Sequence, residues 1–518
     1  MALEIEDKFD VPEGFALPDL SGVPGCEGVS EPLSHRLTAV YFDTPDLRLA
    51  ARGVTLRRRR GGDDEGWHLK LPKAKGARQE ITRPLTRSAK VVPAELASLV
   101  LAYTRGAPLA PVARLETRRS ITRLLGPGGA GGSGSMGGEG SADGTGGAGG
   151  TGGTGGTGGT ESTVLVEIAD DRVKGTVLGD EPVVRRWREV EAELKEGDRG
   201  LLEKVAKRLR KAGATPADSA SKLARVLGDR IPAPPPRIRP EPGSVGEVVV
   251  AYLRAHADAL IAQDPHVRLA EEDAVHKARV AGRRLRSALK AFKRIVAGTE
   301  DLQEELRWLG EVLGEARDLE VIRARFAGRL DGLDPRFVTA DARRRLGDDL
   351  QAREHEAYER IRGVLSESRY FALLDALDAL AADPPLTAAA AKNADKALPK
   401  IVDRNWRRVT DAYEAARRME EGAEREAAMH DVRKAAKRAR YTAEAAGMSG
   451  AAERAKEVQE VLGRHQDGVV AQGVLLEEAE RARRAGEDTF TYGVLVGIES
   501  AEAARAHDEF PVVWSRLA

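Results

Sequence analysis

Residues 188–194 read Arg188-Glu189-Val190-Glu191-Ala192-Glu193-Leu194, so that acidic and apolar side chains alternate from Glu189 onward. Successive side chains of a β-strand point to opposite faces of its sheet. The three glutamates therefore share one face, and the three apolar residues share the other. This period of two predicts a strand with one apolar and one charged surface.

The same alternation recurs in several short segments before residue 230, with helical patterns at 93–101 and 200–212 between them. The predicted strands are 3–9, 55–60, 67–71, 114–121, 163–168 and 188–194. The charges that share a face are mixed in sign: Glu4, Glu6 and Lys8; Arg57 and Arg59; His68 and Lys70; Arg78 and Glu80; Arg114, Glu116 and Arg118; Glu167 and Asp171.

Two arrangements explain a charged strand face. For a single strand, contact of that face with solvent on a one-sided antiparallel sheet is sufficient. Repetition over about seven strands favours a sheet closed into a barrel, with charges inside and helices covering the apolar outside. Isolated buried charges are costly, so such an interior needs compensation or ligands. Clustered Arg and Lys suit phosphate oxygens, and clustered carboxylates suit Mg²⁺ or Mn²⁺.

Several motifs in this region, taken in order, resemble the CYTH family, the triphosphate tunnel metalloenzymes. The motifs are Glu4-Ile5-Glu6-Asp7-Lys8, Tyr41-Phe42-Asp43-Thr44, Leu56-Arg57-Arg58-Arg59, Trp67-His68-Leu69-Lys70-Leu71-Pro72, the segment 188–194, and Ser221-Lys222. The resemblance covers about residues 1–228. The family includes inorganic triphosphatases, thiamine triphosphatases and class IV adenylyl cyclases.

This resemblance implies a closed antiparallel tunnel and metal-dependent attack on a triphosphate. By motif, the expected phosphate-binding residues are Lys8, Arg57, Arg59, Lys70, Arg118 and Lys222. The expected metal-binding residues are Glu4, Glu6, Glu189 and Glu191, followed by Asp171 and Glu193. Lys8, Glu4 and Glu6 are the expected catalytic residues, and Lys8 is expected to position the attacking water or the terminal phosphate.

A glycine-rich segment interrupts the tunnel region at residues 126–160. It contains 20 of the 55 glycines of the chain, which is typical of a flexible low-complexity segment. Alternating segments flank it on both sides, which favours an expanded loop between two strands over an interdomain linker. We expect the interdomain linker at residues 229–243, where prolines enforce an extended chain.

Overall composition excludes few functions by itself. The 518 residues contain 82 Lys+Arg and 82 Asp+Glu, so the formal net charge is zero. The zero sum argues against a polyanion partner only if the charges are evenly distributed. The single cysteine, Cys26, excludes an intrachain disulfide and is expected to be inert. No apolar run approaches the ~18 residues of a membrane span, and the N-terminus lacks a secretory pattern, so we expect a cytoplasmic protein.

After the prolines the sequence is helical in pattern and contains an internal repeat. The pattern H-x₂-R-x₃-[RK]-R-x-R occurs at His276–Arg286 and again at His430–Arg440. Each copy precedes an LG…D element, Leu313-Gly314 with Asp318 and Leu462-Gly463 with Asp467. We therefore expect two related helical bundles, at about 244–383 and 384–515.

Helical geometry places the basic residues of each copy on one face. At 100° per residue, the basic residues of each copy fall along one side of their helix and form a stripe. These two basic stripes are His276, Arg279, Arg283, Arg286 and Lys290, and His430, Arg433, Lys437 and Arg440. Solvated helix faces normally mix charge signs, whereas residues 277–294 contain eight Lys/Arg and no Asp/Glu. A polyanion partner explains such a stripe better than a solvated face does.

This half resembles the CHAD domain, the conserved histidine α-helical domain, over about residues 244–515. The resemblance implies a pair of four-helix bundles with a basic groove that binds inorganic polyphosphate. A metal-ligand role for His276 and His430 is disfavoured because no Cys or second His lies at ligand spacing. DNA or RNA also fits a basic stripe, but aromatic residues for base stacking are almost absent from it.

The sequence therefore predicts an α+β multidomain protein: a closed antiparallel β tunnel with flanking helices, followed by all-α tandem four-helix bundles. The expected activity is metal-dependent hydrolysis of inorganic triphosphate or short polyphosphate, with Mg²⁺ or Mn²⁺ as cofactor and polyphosphate as partner of the helical half. The alternatives are a non-catalytic polyphosphate-binding scaffold, and thiamine triphosphatase or adenylyl cyclase activity. Oligomeric state, preferred metal and polyphosphate chain length stay open.

Overall fold

The computed structural model describes residues 2–74, 77–127 and 163–517, with side chains from residue 5 onward. The chain divides into two compact units: residues 1–97 with 107–234, and residues 98–106 with 235–518. The glycine-rich insert predicted at 126–160 lies almost entirely outside the described residues. The strands on either side of it pair with each other in an antiparallel ladder.

The first unit is an antiparallel barrel. Its strands are β1 (Ala2–Asp10), β2 (Gly28–Val29), β3 (Leu33–Asp43), β4 (Thr55–Arg60), β5 (Gly66–Ala74), β6 (Ala77–Arg83), β7 (Ala110–Gly126), β8 (Thr163–Val177), β9 (Val184–Leu194) and β10 (Thr215–Pro216). Eight of them follow the order β1-β6-β5-β4-β3-β7-β8-β9, and β9 pairs with β1 to close the ring. The predicted closed antiparallel barrel is confirmed.

Strand β1 closes the barrel because its two halves pair with different neighbours. Residues 2–5 pair with β6, in the register Glu4 opposite Arg78. Residues 6–10 pair with β9, in the register Lys8 opposite Glu191. The side chains of both β1 and β9 alternate between the inside and the outside of the barrel, so this register brings Lys8 and Glu191 together on the inner face.

The helices of the first unit include α1 (Arg48–Ala51). Helix α2 (Ala94–Leu99) spans the boundary between the units, and α3 (Leu101–Thr104) belongs to the second unit. Helices α4 (Arg199–Lys211) and α5 (Lys222–Leu227) belong to the barrel unit. Asp198 caps α4 by accepting a hydrogen bond from the Leu201 amide. The apolar face of α4 packs on the outer surface of β1, β8 and β9, where it buries Phe9, Val166, Ile168, Val190 and Ala192.

Helix α5 closes one end of the barrel interior. Its side chains Leu223, Val226 and Leu227 pack against Tyr41 of β3 and against inward-facing residues of β7 and β8. Ser221 caps the helix by accepting from the Ala224 amide. The cap fixes where α5 begins, and thereby holds its first residue, Lys222, at the boundary between the apolar plug and the charged interior.

The second unit is entirely helical, apart from two isolated bridges. Its main helices are α6 (Val245–Arg268), α7 (Ala274–Ala291), α8 (Glu300–Val312), α9 (Gly314–Gly332), α10 (Ala340–Arg344), α11 (Leu350–Val364), α12 (Ser368–Ala382), α13 (Ala394–Arg417), α14 (Ala423–Ala445), α15 (Ser449–Arg484) and α16 (Phe490–Leu517). The all-helical C-terminal region is thus confirmed. Within the described residues, no helix has the length and hydropathy needed to cross a membrane.

The helices of this unit bury an apolar core and several charged groups, among them a cluster around Glu499. Tyr413, Phe510 and Trp514 form an aromatic group in the core of α13–α16. Glu499 of α16 is fully buried, where it accepts hydrogen bonds from Arg325 and Arg329 of α9. A buried carboxylate needs such paired donors, so this cluster fixes α16 against α9.

Candidate functional site

The barrel encloses a cavity of about 130 Å³ whose lining is entirely polar or charged. Eight Lys/Arg and six Asp/Glu line it, together with one hydroxyl each from a tyrosine, a threonine and a serine. The lining residues are Glu6, Lys8, Tyr41, Thr55, Arg57, Arg59, Asp64, Lys70, Arg78, Glu80, Arg119, Glu167, Glu191, Glu193, Lys195, Ser221 and Lys222. A cavity of this composition suits a small, highly charged ligand.

One wall of the cavity is basic and is formed by β4 and β5. Arg57 and Arg59 project from alternate positions of β4, and Lys70 projects from β5. The Nε atoms of Arg57 and Arg59 are buried and have no hydrogen-bond partner among the described residues. Burial, reinforced by the charges of Arg57 and Arg119, lowers the pKa of Arg59. Buried donors without acceptors are a destabilising arrangement that an anion would relieve.

Glu80, which also lines the cavity, and His68 lie beside the basic residues of this wall. His68 Nδ1 lies 2.9 Å from Glu80 Oε1, and His68 Nε2 lies 2.9 Å from the Asp64 carbonyl oxygen. Burial by itself raises the pKa of Glu80, but the hydrogen bond with His68 and the charge of Lys70 outweigh it and lower the pKa to about 2. Glu80 therefore stays ionised and offsets part of the positive charge of the wall.

The opposite wall is acidic and is formed by β8, β9 and the start of α5. Asp171, Glu189 and Glu191 are buried, and one carboxylate oxygen from each lies within 4.8 Å of the others. Lys222 Nζ lies 3.0 Å from Asp171 Oδ2 and 2.6 Å from an oxygen of each glutamate. One ammonium group thus holds three buried carboxylates together.

Two further cations complete this wall. Arg119 binds Asp171 in a bidentate pair of 2.8 Å and 2.6 Å and also donates to Glu191 at 2.8 Å. Lys8 donates to Glu6 at 2.8 Å and also contacts Glu191. Burial alone raises the pKa of Asp171 and Glu191, but the neighbouring cations, with Lys222 first, outweigh it and lower both pKa values. The wall is therefore ionised and nearly charge-balanced.

Most of the tunnel residues predicted from the sequence meet in this cavity or on its acidic wall. They are Glu6, Lys8, Arg57, Arg59, Lys70, Asp171, Glu189, Glu191, Glu193 and Lys222. Glu193 lies toward the opening, 2.6 Å from Lys195 Nζ. The side chain of Glu4 lies outside the described residues, although its backbone belongs to β1.

The prediction that Arg118 lines the tunnel is wrong, because Arg118 is exposed on the outside of β7 and Arg119 lies inside. The error came from taking the charged face of residues 114–121 as the inner face. At this end of the barrel the interior is filled by the apolar plug of α5, so Ala113 and Leu115 point inward. Arg119 shares their face, since it lies at an even spacing from them.

Sequence reasoning also missed Tyr41, Glu80 and Glu167 as members of the cavity lining. Glu80 and Glu167 had been placed on charged strand faces, but no motif distinguished them from solvent-facing residues. Tyr41 lies in the motif 41–44, yet its contact with Arg57, 3.4 Å from hydroxyl oxygen to Nη1, depends on the register of β3 with β4. Register is not readable from either strand alone.

The acidic wall fits a hard divalent cation. Three carboxylates from two adjacent strands supply only oxygen donors, which Mg²⁺ and Mn²⁺ prefer. The nearby Lys222 and Arg119 balance these carboxylates within the protein itself. The donor set therefore supports metal binding without requiring a metal for folding.

The helical unit has a groove of about 770 Å³ between α7, α8 and α14. Its charged lining is predominantly basic: Arg279, Arg283, Arg286, Arg307, Lys434 and Lys437, with Glu311 as the acidic member. The Nε atoms of Arg283 and Arg433 are buried without a hydrogen-bond partner in the described part of the chain. Four residues of the two predicted basic stripes thus line one groove: Arg279, Arg283, Arg286 and Lys437.

The LG…D elements hold the first arginine of each stripe. A side chain at Gly314 would collide with Arg279, since its Cβ would lie 2.7 Å from Nη1. Gly463 lies beneath Arg433, where a Cβ would reach ordinary contact distance, 3.5 Å from Nη2, and the same Nη2 lies 3.7 Å from Asp467. The glycine leaves room for the guanidinium, and the aspartate four residues later supplies the opposite charge.

The remaining stripe residues lie around the groove. His276 is half-buried on α7, and His430 Nδ1 lies 3.2 Å from Gln466 Oε1. Lys290 is exposed, and the charge of Arg438 together with burial lowers its pKa. Arg440 donates to Glu444 at 2.9 Å, so an internal carboxylate already balances its charge.

Burial and neighbouring cations both act on the charged groups of the groove. Burial, followed by the charges of Arg433 and Arg283, lowers the pKa of Lys437 to about 8. Burial and the charges of Arg283 and Arg307 similarly lower the pKa of Arg286. The groove therefore carries a net positive potential around Arg283, Arg286 and Lys437.

Comparison with known families identifies both units. Residues 2–227 match the CYTH domain, and residues 251–476 match the CHAD domain. The fold and site thus define the class, a triphosphate-tunnel domain joined to a conserved-histidine helical domain. The chain belongs to the family in which a CYTH domain is followed by a CHAD domain. CYTH domains bind triphosphate substrates and use divalent metals, and the family includes triphosphatases and cyclases.

A relative that matches over nearly its whole length is an uncharacterized protein, Rv2226, of Mycobacterium tuberculosis strain H37Rv. It is 38% identical over 533 residues, which cover 99% of this chain and 96% of the relative. Similar solved structures include PptA from Streptomyces chartreusis, at 24% identity and a TM-score of 0.44, covering 52% of this chain and 99% of PptA. The CHAD domain of the plant Ricinus communis is 26% identical with a TM-score of 0.43, covering 54% of this chain and 96% of that domain.

Replacing Lys222 by Met should destabilise the barrel in a pH-dependent way. At pH 7 the variant buries three carboxylates without their shared cation, a loss of about 3–5 kcal/mol. The lowered carboxylate pKa values stabilise the parent above the unfolded-state pKa of about 4, and this stabilisation is lost as the pH falls. The difference in melting temperature between parent and variant should therefore shrink from pH 7 to pH 4. Lys195→Met, which removes an exposed partner of Glu193, is the control; an equal loss in both variants would contradict the prediction.

Lys437 should react with an amine-directed reagent at lower pH than other lysines, because the amine reacts only when deprotonated. We expect half-maximal labelling near pH 8 by mass spectrometry of labelled peptides. Lys456 is the internal control, because its hydrogen bond to Glu453 raises its pKa. Arg433→Gln should shift the Lys437 profile to higher pH, since one repelling charge is removed. Identical profiles for the two lysines would contradict the predicted potential.

Proposed function

We propose that the barrel catalyses metal-dependent hydrolysis of inorganic triphosphate or a short polyphosphate, and that the helical unit binds polyphosphate. The observation that carries the proposal is the separation of charge inside one cavity. A wall of buried arginines, whose Nε atoms have no acceptor among the described residues, faces a wall of clustered carboxylates. Phosphate oxygens fit the first wall and a divalent cation fits the second.

On this proposal the basic wall holds the substrate. Arg57, Arg59 and Lys70 donate to phosphate oxygens, and Arg119 extends the set of donors from the opposite side. Arginine presents two parallel N–H groups to a phosphate, which fixes its orientation as well as balancing its charge. Positioning and charge neutralisation are the main contributions a protein makes to phosphoryl transfer.

The acidic wall supplies the metal site. Asp171, Glu189 and Glu191 would hold Mg²⁺ or Mn²⁺, and Glu6 and Glu193, which line the same cavity, are further candidates. Glu4 is a candidate from its motif alone. The bound cation would neutralise phosphate charge and lower the pKa of a coordinated water. Lys8, held between Glu6 and Glu191, is assigned to orient the attacking water or the terminal phosphate. Lys222 keeps the carboxylates grouped.

In the helical unit, the groove of α7, α8 and α14 binds a longer polyphosphate chain. The hydrogen-bond donors of the groove are arginines and lysines, and its lining, among the described residues, contains no aromatic side chain on which a nucleic-acid base could stack. This favours a ligand made only of phosphates. Polyphosphate offers a repeating negative charge, which would relieve the repulsion that, together with the larger effect of burial, lowers the pKa of Lys437. We propose that this binding keeps substrate close to the enzyme.

Adjacent arginines of β7 provide a matched test of the tunnel. Arg119→Gln should lower the rate of phosphate release from inorganic triphosphate about 100-fold, because it removes an inner cation from the substrate and the acidic wall. Arg118→Gln, on the outer face, should leave the rate within about two-fold. Release is measured with Mg²⁺ or Mn²⁺ on inorganic triphosphate, ATP and thiamine triphosphate. Equal effects of the two variants would contradict the assigned inner face.

The same substrate panel discriminates the alternative functions. Preferred turnover of thiamine triphosphate, or formation of cyclic AMP from ATP, would replace inorganic triphosphate as the substrate. No release from any of the three, in protein that still binds polyphosphate, would favour a non-catalytic scaffold.

The groove is tested by its affinity for polyphosphate. The double variant Arg283→Gln, Lys437→Gln should bind at least ten-fold more weakly, because each charge-assisted hydrogen bond contributes about 1.5–3 kcal/mol. Arg279 and Arg433 are less suitable targets, since each is wedged over a glycine. Arg417→Gln, an exposed arginine of α13 paired with Glu414, is the control for lost net charge. Equal weakening in the control would indicate nonspecific attraction.

A further inference from the structure

Three side chains from three helices of the α13–α16 bundle come together in one cluster. They are Glu426 of α14, His465 of α15 and His507 of α16, and one ligand atom from each lies within 4.8 Å of the others. Glu426 Oε2 lies 2.8 Å from His465 Nε2, and Glu426 Oε1 lies 4.0 Å from His507 Nδ1. The cluster is separate from the barrel cavity and contributes nothing to the proposed hydrolysis.

The imidazole of His465 is held in a specific orientation. Its Nδ1 lies 3.1 Å from the carbonyl oxygen of Ala503. A carbonyl oxygen only accepts, so Nδ1 carries a proton and donates it. The other nitrogen, Nε2, then faces a carboxylate oxygen, which is also an acceptor. Either a second proton or a cation must lie between them.

A histidine whose Nδ1 donates to a backbone carbonyl is the usual arrangement of a metal-binding imidazole. The carbonyl fixes the tautomer and directs the Nε2 lone pair at the ion. Ala503 lies on the same helix as His507, one turn earlier, so α16 both orients one ligand and supplies another. The three side chains are 50%, 17% and 35% exposed, in chain order, which leaves the cluster accessible to an ion from solvent.

We propose that Glu426, His465 and His507 bind one divalent transition-metal ion of the zinc class. Two imidazoles and one carboxylate are a three-ligand set that Zn²⁺ accepts, with water in the fourth position. Ligand atoms of a tetrahedral zinc site lie about 3.3 Å apart, given bonds of about 2.0 Å. Small side-chain rotations bring atoms within 4.8 Å to that spacing. The two imidazoles disfavour Mg²⁺ and Ca²⁺, which take oxygen ligands.

The internal repeat shows that this cluster is particular to the second half of the helical unit. In the first LG…D element the position of His465 is occupied by Ala316. The position four residues before the stripe histidine is glutamate in both copies, Glu272 and Glu426. The first copy thus has the glutamate but an alanine in place of the histidine, whereas the second copy has both the glutamate and the histidine.

The site lies one helical turn from the start of the second basic stripe. Glu426 precedes His430 by four residues on α14, and Gln466, next to His465, contacts His430. A bound ion would link α14, α15 and α16 at this end, and would stabilise the bundle in proportion to its occupancy.

The test uses the full chain, stripped of metal with a chelator and titrated with Zn²⁺ by calorimetry, and with Co²⁺ by visible absorption. The parent should bind one more equivalent of Zn²⁺ than His507→Gln or Glu426→Gln, or bind that equivalent at least ten-fold more tightly. It should also show Co²⁺ ligand-field bands that both variants lose. His355→Gln is the matched control, because His355 is an exposed histidine 3.7 Å from Glu359.

Weaker metal binding by the two variants must not result from unfolding. Glu426 and His507 are partly exposed, and circular dichroism and the melting temperature without metal should match the parent. The carboxylates of the barrel can also bind Zn²⁺, so each variant is expected to bind less Zn²⁺ than the parent, but not to lose all Zn²⁺ binding. Unchanged Zn²⁺ stoichiometry, affinity and Co²⁺ spectra in both variants would overturn the proposal and leave His465 a protonated ion-pair partner. Neither outcome depends on triphosphate hydrolysis.

Discussion

The barrel depends on one ammonium group shared by three buried carboxylates. Removing a single ion from water costs several kcal/mol even after relaxation, so Asp171, Glu189 and Glu191 persist inside the protein only with a cation among them. Lys222 meets that requirement, and its position follows from the cap at Ser221 and the apolar plug formed by α5. The apolar and charged parts of the interior are therefore not independent, because the helix that fills one end also delivers the charge that balances the other.

This constraint explains which parts of the fold and site were readable from the sequence. The period-two pattern of residues 188–194 identified both a strand and its inner face, because Val190, Ala192 and Leu194 on the outside of β9 are all apolar. The same rule failed on β7, where the interior changes from apolar at Leu115 to charged at Arg119. Alternation reveals that two faces differ but not which one is inside. That choice is made by a helix about 100 residues later in the chain.

The helical unit was more accessible to sequence reasoning, because its signals are local. The repeated His–Arg pattern and the LG…D elements each lie within one or two helices, where the spacing of residues along the sequence determines which side of the helix each side chain is on. What the pattern did not reveal is which stripe residues would be balanced internally. Arg440 is neutralised by Glu444, one turn along its own helix, whereas Arg283 and Lys437 lie in a shared groove. The difference depends on how α7 and α14 face each other, which is a property of packing.

The divided pairing of β1 has a consequence for how the chain folds. Its first half pairs with a strand about 75 residues away, and its second half pairs with one about 180 residues away. Pairings of such long range are entropically expensive to nucleate and form late. During synthesis the strands β3 to β8 can assemble as an open sheet, but the ring cannot close until β9 has emerged. Until then the first strand presents an unpaired edge, so the last step in forming the charged cavity is also the one most exposed to mispairing.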